Sequence, residues 1–243
     1  MNSIDYLSLY CGDSCRIDDN IVVRHPSVDE IREHGEQDYY NMVYTLCAVG
    51  ADLKWQLDDA GYDYTEIDDF DLFIRYLCRQ FPKERTSILL GDLDLRRFIV
   101  RYDNNISENT LIDPITSIKI DRYTYRQIVG AIRAMHGLKR NNELPGNEAT
   151  KKILIEDARE AAEEAQGKEY KSMLLPLVST LTANRGGDYK AVLEMPIYTF
   201  TDCVKRTTKI KNADLLLQSG YSGFGVDLKK IDKNELNYMG DLK

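Results

Sequence analysis

Apolar side chains recur at helical spacing through the first third of the chain. Over residues 36–59 they lie three or four positions apart, which is typical of an amphipathic helix with one buried face. We predict a long helix here, which Gly50 can interrupt and which ends at Gly61. A second helix is predicted over 65–82, where Pro82 stops it. The first apolar stripe consists of Tyr39, Met42, Val43, Leu46, Cys47, Val49, Leu53 and Leu57.

Capping residues and apolar runs predict further helices along the chain. Ser27 and Glu30 have the spacing of a capping box, in which the two side chains satisfy free amides at a helix start. Asp121 or Thr124 can cap a helix that Gly137 ends. The remaining predicted helices are an alanine-rich segment at 148–166, an apolar run at 173–181, and a long helix over 197–218 that ends at Gly220.

The pattern changes in the middle of the chain. Runs of β-branched and aromatic residues at 98–102, 110–112 and 115–120 predict strands, and Pro114 confines the last of them to an edge or a break. No strand–helix–strand alternation is visible. We therefore predict a mainly α (α+β) fold, a multi-helix globular protein with a small antiparallel β element in the middle of the chain.

The predicted elements divide the chain into two regions. Residues 1–140 form an N-terminal helical region that contains the β insertion at about 88–120. Residues 141–243 form a C-terminal helical region with a short tail, and a polar linker joins the two regions. A chain of 243 residues suits either two domains or one compact domain, so both organisations stay open.

Charge and cysteine content narrow the function classes. The formal net charge of -8 repels nucleic acid and anionic membranes, so we expect neither as a partner. Five cysteines, three of them inside apolar runs, argue against a disulfide framework and for a reducing compartment. No apolar stretch reaches membrane-spanning length and no signal peptide is visible, which predicts a soluble cytoplasmic protein.

Two patterns resemble phosphate chemistry, and each has a simpler explanation. The glycines at 220, 223 and 225 follow a predicted helix and lack the strand and the Lys-Ser/Thr pair of a phosphate-binding loop. Asp92 and Asp94 follow a strand-like apolar run, as in dehalogenase-type phosphatases, but Leu95 stands where Thr or Val is usual. We interpret the first pattern as a helix end with a turn, and the second as an exposed acidic turn.

Two further patterns resemble a metal site and a binding site for anions. Cys11, Cys15, His25 and His34 lack the paired ligand spacing of zinc modules. The basic stretch VKRTTKIKN at 204–212 is expected to complement a helix dipole near its C-terminus, or to bind an acidic partner. We therefore predict no catalytic, cofactor-binding or metal-binding residues, no cofactor, and no enzyme activity.

Apolar anchors among polar residues mark the segment 234–242. Such a segment can dock on its own protein or in a partner's groove, and the sequence leaves both open. The helix face at 39–57 is a second candidate for partner binding. The residues predicted to bind a partner are Tyr39, Met42, Leu46, Leu53, Leu57, Leu236, Tyr238, Met239 and Leu242.

Six segments of the chain are informative only when they are taken together. They are HPSVDEIREHGEQDYYNMVYTL, ILLGDLDLRRF, LPGNEATKKILIEDARE, SMLLPLVSTLTAN, MPIYTFTDCVKRTTKIKNADLLLQSGYSG and KKIDKNELNYMGDL. In this order they resemble a family of proteins from tailed bacteriophages and prophages of Gram-positive bacteria. The resemblance covers nearly the whole chain, and no single motif carries it.

This resemblance implies a tail assembly chaperone, which binds the tape measure protein while tail tube subunits polymerise around it. Such a protein acts in the host cell cytoplasm, binds the tape measure and other tail proteins, and needs no cofactor. Homo-oligomerisation stays open. Two other functions also stay open: a structural virion protein of the minor tail or adaptor class, and a phage-encoded factor that acts on a host protein or nucleic acid.

Overall fold

The chain folds into a mainly helical protein with a small antiparallel β element, which confirms the predicted fold class. The computed structural model describes residues 4–222 and 227–242. The helices are α1 (Tyr6–Cys11), α2 (Val28–His34), α3 (Glu36–Cys47), α4 (Lys54–Asp59), α5 (Asp69–Leu72), α6 (Lys83–Leu90), α7 (Arg122–His136), α8 (Glu148–Ala165), α9 (Leu174–Asn184), α10 (Tyr189–Leu193), α11 (Ile197–Tyr221) and α12 (Lys233–Leu236). The strands are β1 (Cys15–Arg16), β2 (Val22–Val23), β3 (Ile99–Asp103), β4 (Glu108–Ile112) and β5 (Lys119–Ile120).

Helix α3 lies in the core because its apolar stripe has neighbours on several sides. Tyr39 and Met42 are fully buried, and α3 packs against α2, α6 and α7. Helix α3 ends at Cys47, and a 3-10 turn at Gly50–Asp52 follows before α4 begins. The predicted interruption of the helix near Gly50 is therefore confirmed. The carboxylate of Asp52 accepts a hydrogen bond from the Val49 amide at 3.0 Å, which satisfies a donor at this break.

Gly50 lies where the backbone of Tyr64 comes very close. A Cβ atom on Gly50 would lie 2.2 Å from the carbonyl oxygen of Tyr64, well inside van der Waals contact. This oxygen belongs to the backbone and cannot rotate away. We therefore expect Gly50→Ala to lower the free energy of unfolding by about 2 kcal/mol, because overpacking forces the backbone to shift. Urea unfolding followed by circular dichroism measures this difference.

Gly130, in the middle of α7, provides a matched control. No heavy atom lies within 4 Å of its Cβ position, so an alanine fits there. Alanine favours a helix interior over glycine by roughly 1 kcal/mol, so Gly130→Ala should raise the free energy of unfolding. A Gly50→Ala protein as stable as the wild type would contradict the close packing at Tyr64.

The middle of the chain forms a three-stranded antiparallel sheet in the order β3–β4–β5. In the β3–β4 hairpin Val100 lies opposite Leu111, and β5 pairs with β4 through Ile120. Leu111 and Ile120 are fully buried, so the inner part of the sheet belongs to the core. Pro114 lies in the turn between β4 and β5, as a break in the third predicted run requires. Strand β3 is at the outer edge, and most of its side chains are exposed.

Arg122 anchors this sheet to the helices. It is the first residue of α7, and it pairs with Asp68 before α5 and with Glu108 on β4. Its guanidinium group also lies 5.6 Å from the centre of the Phe70 ring. One side chain thus connects α5, β4 and α7, which fixes the base of the hairpin against the helical body.

Two of the segments that differ from the prediction are α6 and α1. The apolar run before Asp92 is a helix and not a strand: α6 begins after Pro82, which is favourable at a helix start, and ends at Gly91, whose φ is +57. Helix α1 was not predicted, although Asp5 caps it by accepting hydrogen bonds from the amides of the first turn.

One buried cluster includes residues from both predicted regions. Ile155 of α8, Leu181 of α9 and Phe200 of α11 belong to the same cluster as the buried face of α3. Helix α8 packs against α4, and α11 packs against α1, α7 and α9. The C-terminal helices therefore share a core with the N-terminal ones.

Candidate functional site

The helix face predicted to bind a partner is part of the core. Tyr39, Met42, Leu46 and Leu57 are at most 4% exposed, and Leu53 is partly buried against the same cluster. A partner cannot reach these side chains while the surrounding helices stay packed. The prediction is therefore wrong for α3, because α2, α6 and α7 already cover its apolar stripe, and Leu57 of α4 is buried as well.

The second group of predicted residues lies at the surface. We define the tail as residues 227–242, which include α12. Within it Tyr238 is 45% exposed and Met239 is 78% exposed, whereas Leu236 and Leu242 are half-buried. The tail packs on α11 through α12, whereas the stripe on α3 packs against α2, α6 and α7.

Two basic side chains of α11 hold the tail through main-chain carbonyl groups. Arg206 donates hydrogen bonds to the carbonyl oxygens of Tyr238 at 2.6 Å and of Gly240 at 2.7 Å. Lys209 donates to the carbonyl oxygen of Asp241 at 2.7 Å. Because every chain offers such carbonyl groups, these bonds do not depend on the side chains of the tail.

A groove of about 950 Å³ lies between α11 and the tail. Val204, Leu215 and Leu216 of α11 form its apolar wall, and Leu242 of the tail contributes on the opposite side. We call it the tail groove. Leu215 is 62% exposed, so the groove presents apolar surface that the tail leaves uncovered. Polar side chains that line the rest include Asn212, Asn234 and Glu235.

The basic stretch at 204–212 does not complement a helix end. Helix α11 continues to Tyr221, so Arg206 and Lys209 lie in its middle and the dipole interpretation is wrong. The sequence pointed separately to the tail and to the basic stretch. The sequence did not show that the tail contacts the basic stretch, because the two segments are too far apart for helical or strand periodicity to relate them.

Gly220 also differs from its predicted role. It lies inside α11 and not after its end. A Cβ atom on Gly220 would lie 2.2 Å from Cγ of Leu228, so the glycine makes room for the tail to pass the helix. Gly223 and Gly225, the other glycines of this motif, lie outside the described residues.

The histidines take part in interior contacts. Nε2 of His25 accepts a hydrogen bond from the Tyr198 amide at 3.1 Å, and Nε2 of His136 lies 2.6 Å from the hydroxyl oxygen of Tyr39. Desolvation lowers the pKa of His25 and His34, and it lowers the pKa of His136 to about 4. These imidazoles are therefore neutral near pH 7. Within residues 4–222 and 227–242, no group of three or more His, Cys, Asp or Glu side chains could hold a metal ion.

Burial makes the interior cysteines poor nucleophiles. Desolvation raises the pKa of the Cys47 thiol to about 12 and that of Cys78 to about 11, and it also raises the pKa of Cys15. The reactive form of a cysteine is the thiolate, which is scarce at neutral pH when the pKa is high. These three thiols therefore act as apolar packing groups.

Asp92 and Asp94 stabilise local structure. Asp92 is fully exposed and pairs with Lys83 at 2.8 Å. Asp94 accepts a hydrogen bond from the Arg96 amide at 3.1 Å and begins the 3-10 turn at Leu95–Arg97. The two carboxylates have separate partners, and only Asp92 is exposed, because Asp94 is half-buried.

No protein-family model, curated protein or solved structure matches the chain. Within the described part of the chain, no helix is both long enough and apolar enough to cross a membrane.

Proposed function

We propose that the chain is a non-enzymatic bacteriophage morphogenesis factor, a tail assembly chaperone that binds the tape measure protein in the host cytoplasm. The resemblance of six segments to phage and prophage proteins is the starting point. Protein binding is supported by the tail groove, an apolar groove that the tail covers only in part.

The observation that carries this proposal is the way in which the tail is held. Arg206 and Lys209 bind its main-chain carbonyl groups, while Tyr238 and Met239 stay exposed. A chaperone must bind its client and release it, so reversible contacts through exposed side chains are suitable. Flexible methionine and amphipathic tyrosine side chains adapt to different partner surfaces. In this proposal a client segment binds against the apolar side chains of the tail and the uncovered apolar wall of the tail groove.

A tagged pull-down from phage-producing cells tests the proposal. The captured proteins are identified by mass spectrometry and compared with the protein inventory of purified particles. We expect the tape measure protein among the captured proteins and expect the chain to be absent from particles. A fixed stoichiometry in particles would instead identify a virion protein, and capture of only a host enzyme or nucleic acid would also overturn the proposal.

Charged substitutions in the tail should weaken client capture. Leu236→Asp combined with Tyr238→Asp replaces two anchors with carboxylates, and we expect about tenfold less tape measure protein in the pull-down. The helical circular dichroism should not change, because neither residue is in the buried cluster.

The control changes the same residue types elsewhere on the surface. Tyr123 is 56% exposed on α7 and Leu175 is 69% exposed on α9. Tyr123→Asp combined with Leu175→Asp should leave capture unchanged. If the tail variant lost its helical signal, the tail would be part of the core and the interface would have to lie elsewhere.

A further inference from the structure

Strand β3 is a free edge of the three-stranded sheet. It pairs with β4 on one side only. Among the described residues, no backbone hydrogen bond joins Ile99–Asp103 to any segment other than β4. The outward N–H and C=O groups of β3 are therefore available to another strand.

This edge lacks proline and lysine, two residues that usually prevent strand addition. Strand β3 has five residues, contains neither proline nor lysine, and carries β-branched and aromatic side chains. Val100 is 43% exposed, Tyr102 is 61% exposed, and Ile106 in the hairpin turn is 45% exposed. An apolar, exposed and unpaired edge of this kind is suited to bind an extended segment.

Positive charge is concentrated near the start of β3. Arg79 donates a hydrogen bond to the carbonyl oxygen of Phe98 at 2.8 Å, and Arg96 donates to the carbonyl oxygen of Arg79 at 3.3 Å. Arg101 lies on the strand and is exposed. No described carboxylate forms an ion pair with these three guanidinium groups, because the acidic residues of the sheet have other partners. Those pairs are Arg97–Asp113, Lys119–Asp103 and Arg122–Glu108.

We propose that β3 binds an extended acidic segment of a partner protein, which joins the sheet as a fourth strand. The backbone of the segment pairs with the outward groups of Ile99–Asp103. Its carboxylates lie against Arg79, Arg96 and Arg101, where charge-assisted hydrogen bonds form. The inference rests on the proposed function in that the chain acts through protein partners, and it uses residues separate from the tail groove.

A second copy of this chain is a less suitable occupant. Two β3 strands that paired antiparallel around a two-fold axis through the strand centre would place their two Arg101 side chains opposite each other. Like charges in directly opposite positions destabilise a strand pair. A strand that carries glutamate or aspartate at this position replaces the repulsion with an attraction.

Fluorescence anisotropy with synthetic peptides tests the proposal on the full chain. The probe is an end-blocked peptide of about seven residues in which valine alternates with glutamate, a length that covers one strand. One matched peptide has lysine in place of glutamate, and another has every backbone amide N-methylated. We expect saturable binding of the glutamate peptide and binding at least about tenfold weaker for both matched peptides. Hydrogen exchange at Ile99–Asp103 should slow when the glutamate peptide is bound.

Protein variants locate the binding site. Arg96→Glu combined with Arg101→Glu should weaken binding of the glutamate peptide by about tenfold or more. Arg126→Glu combined with Lys190→Glu changes the net charge by the same amount at two other exposed positions, on α7 and α10. This control should bind within about twofold of the wild type, because screened charges away from the site contribute little.

Several results would overturn the proposal. These are absence of binding at millimolar glutamate peptide, equal binding of the glutamate and lysine peptides, and undiminished binding of the N-methylated peptide. Dimerisation in light scattering that protects Ile99–Asp103 without any peptide would assign the edge to a second copy. The tail variant Leu236→Asp with Tyr238→Asp should bind the peptide normally, so failure of the tail groove and failure of this edge can be told apart.

Discussion

Met42→Ala should lower the free energy of unfolding by about 3 kcal/mol. Met42 is fully buried on α3, in the layer that α2, α6 and α7 cover. The substitution removes the outer part of the side chain from contact with these helices and leaves a cavity, and both effects favour unfolding. Urea unfolding at neutral pH, followed by far-ultraviolet circular dichroism, measures the change in midpoint.

Tyr44 on the same helix provides the control. It is 50% exposed, so Tyr44→Ala should change the free energy of unfolding by less than about 0.5 kcal/mol. If Met42 belonged to a partner surface, Met42→Ala would be as mild as Tyr44→Ala and would weaken capture of the client. A large loss of stability with Met42→Ala, and a small one with Tyr44→Ala, would establish the stripe as core.

This pair of residues shows what periodicity can predict. Spacing of three and four positions indicates that α3 has one apolar face, and the structure confirms a helix there. The spacing does not indicate whether the face packs against helices of the same chain or against a partner. That depends on how α2, α6 and α7 fold around it, which involves residues far away in the sequence.

Local signals were reliable because they depend only on residues that are close together in the sequence. In the predicted capping box the hydroxyl of Ser27 accepts a hydrogen bond from the Glu30 amide at 3.1 Å, and Gly137 ends α7 with a φ of +63. These features need only residues three or four positions apart. The bond between Arg206 and the carbonyl oxygen of Tyr238 joins residues 32 positions apart, so only the packed structure shows it.

Short apolar runs were the weakest basis for prediction. Residues 88–90 suit either a buried strand or a buried helix, because a short continuous apolar run shows the period of neither. The decisive features are the start at Pro82 and the end at Gly91, which frame helix α6. The free edge of β3 could not be predicted either, since a run of β-branched and aromatic residues indicates a strand but not its place in the sheet.

Acid should destabilise the protein through His136 while most carboxylates are still ionised. Nδ1 of His136 lies 2.7 Å from the carbonyl oxygen of Ile132, which can only accept a hydrogen bond. Nδ1 therefore carries the proton, and Nε2 accepts the hydrogen bond from the hydroxyl of Tyr39. A proton on Nε2 would turn this acceptor into a donor beside a fully buried tyrosine.

The direction of the pH effect follows from the lowered pKa. The pKa of His136 is about 4 in the folded chain, compared with 6.5 for an ordinary histidine. Between these values the unfolded chain binds a proton that the folded chain does not, so stability is constant above pH 6.5 and falls toward pH 4. The expected loss is about 1.5 kcal/mol between about pH 6.5 and pH 5. Desolvation also lowers the pKa of His25 and His34, so their contributions have the same sign.

Urea unfolding at several values between about pH 7.5 and pH 5 measures this loss, and His136→Gln isolates its source. Glutamine can accept the hydrogen bond from Tyr39 without titrating, so the variant should lose most of the pH dependence. His34→Gln is the control and should retain most of it, because His34 is less desolvated. A histidine stabilised in its charged form would make the protein more stable as the pH falls, so a rise in stability would contradict the neutral, hydrogen-bonded His136. A fall that His136→Gln removes would assign the acid sensitivity to this one imidazole.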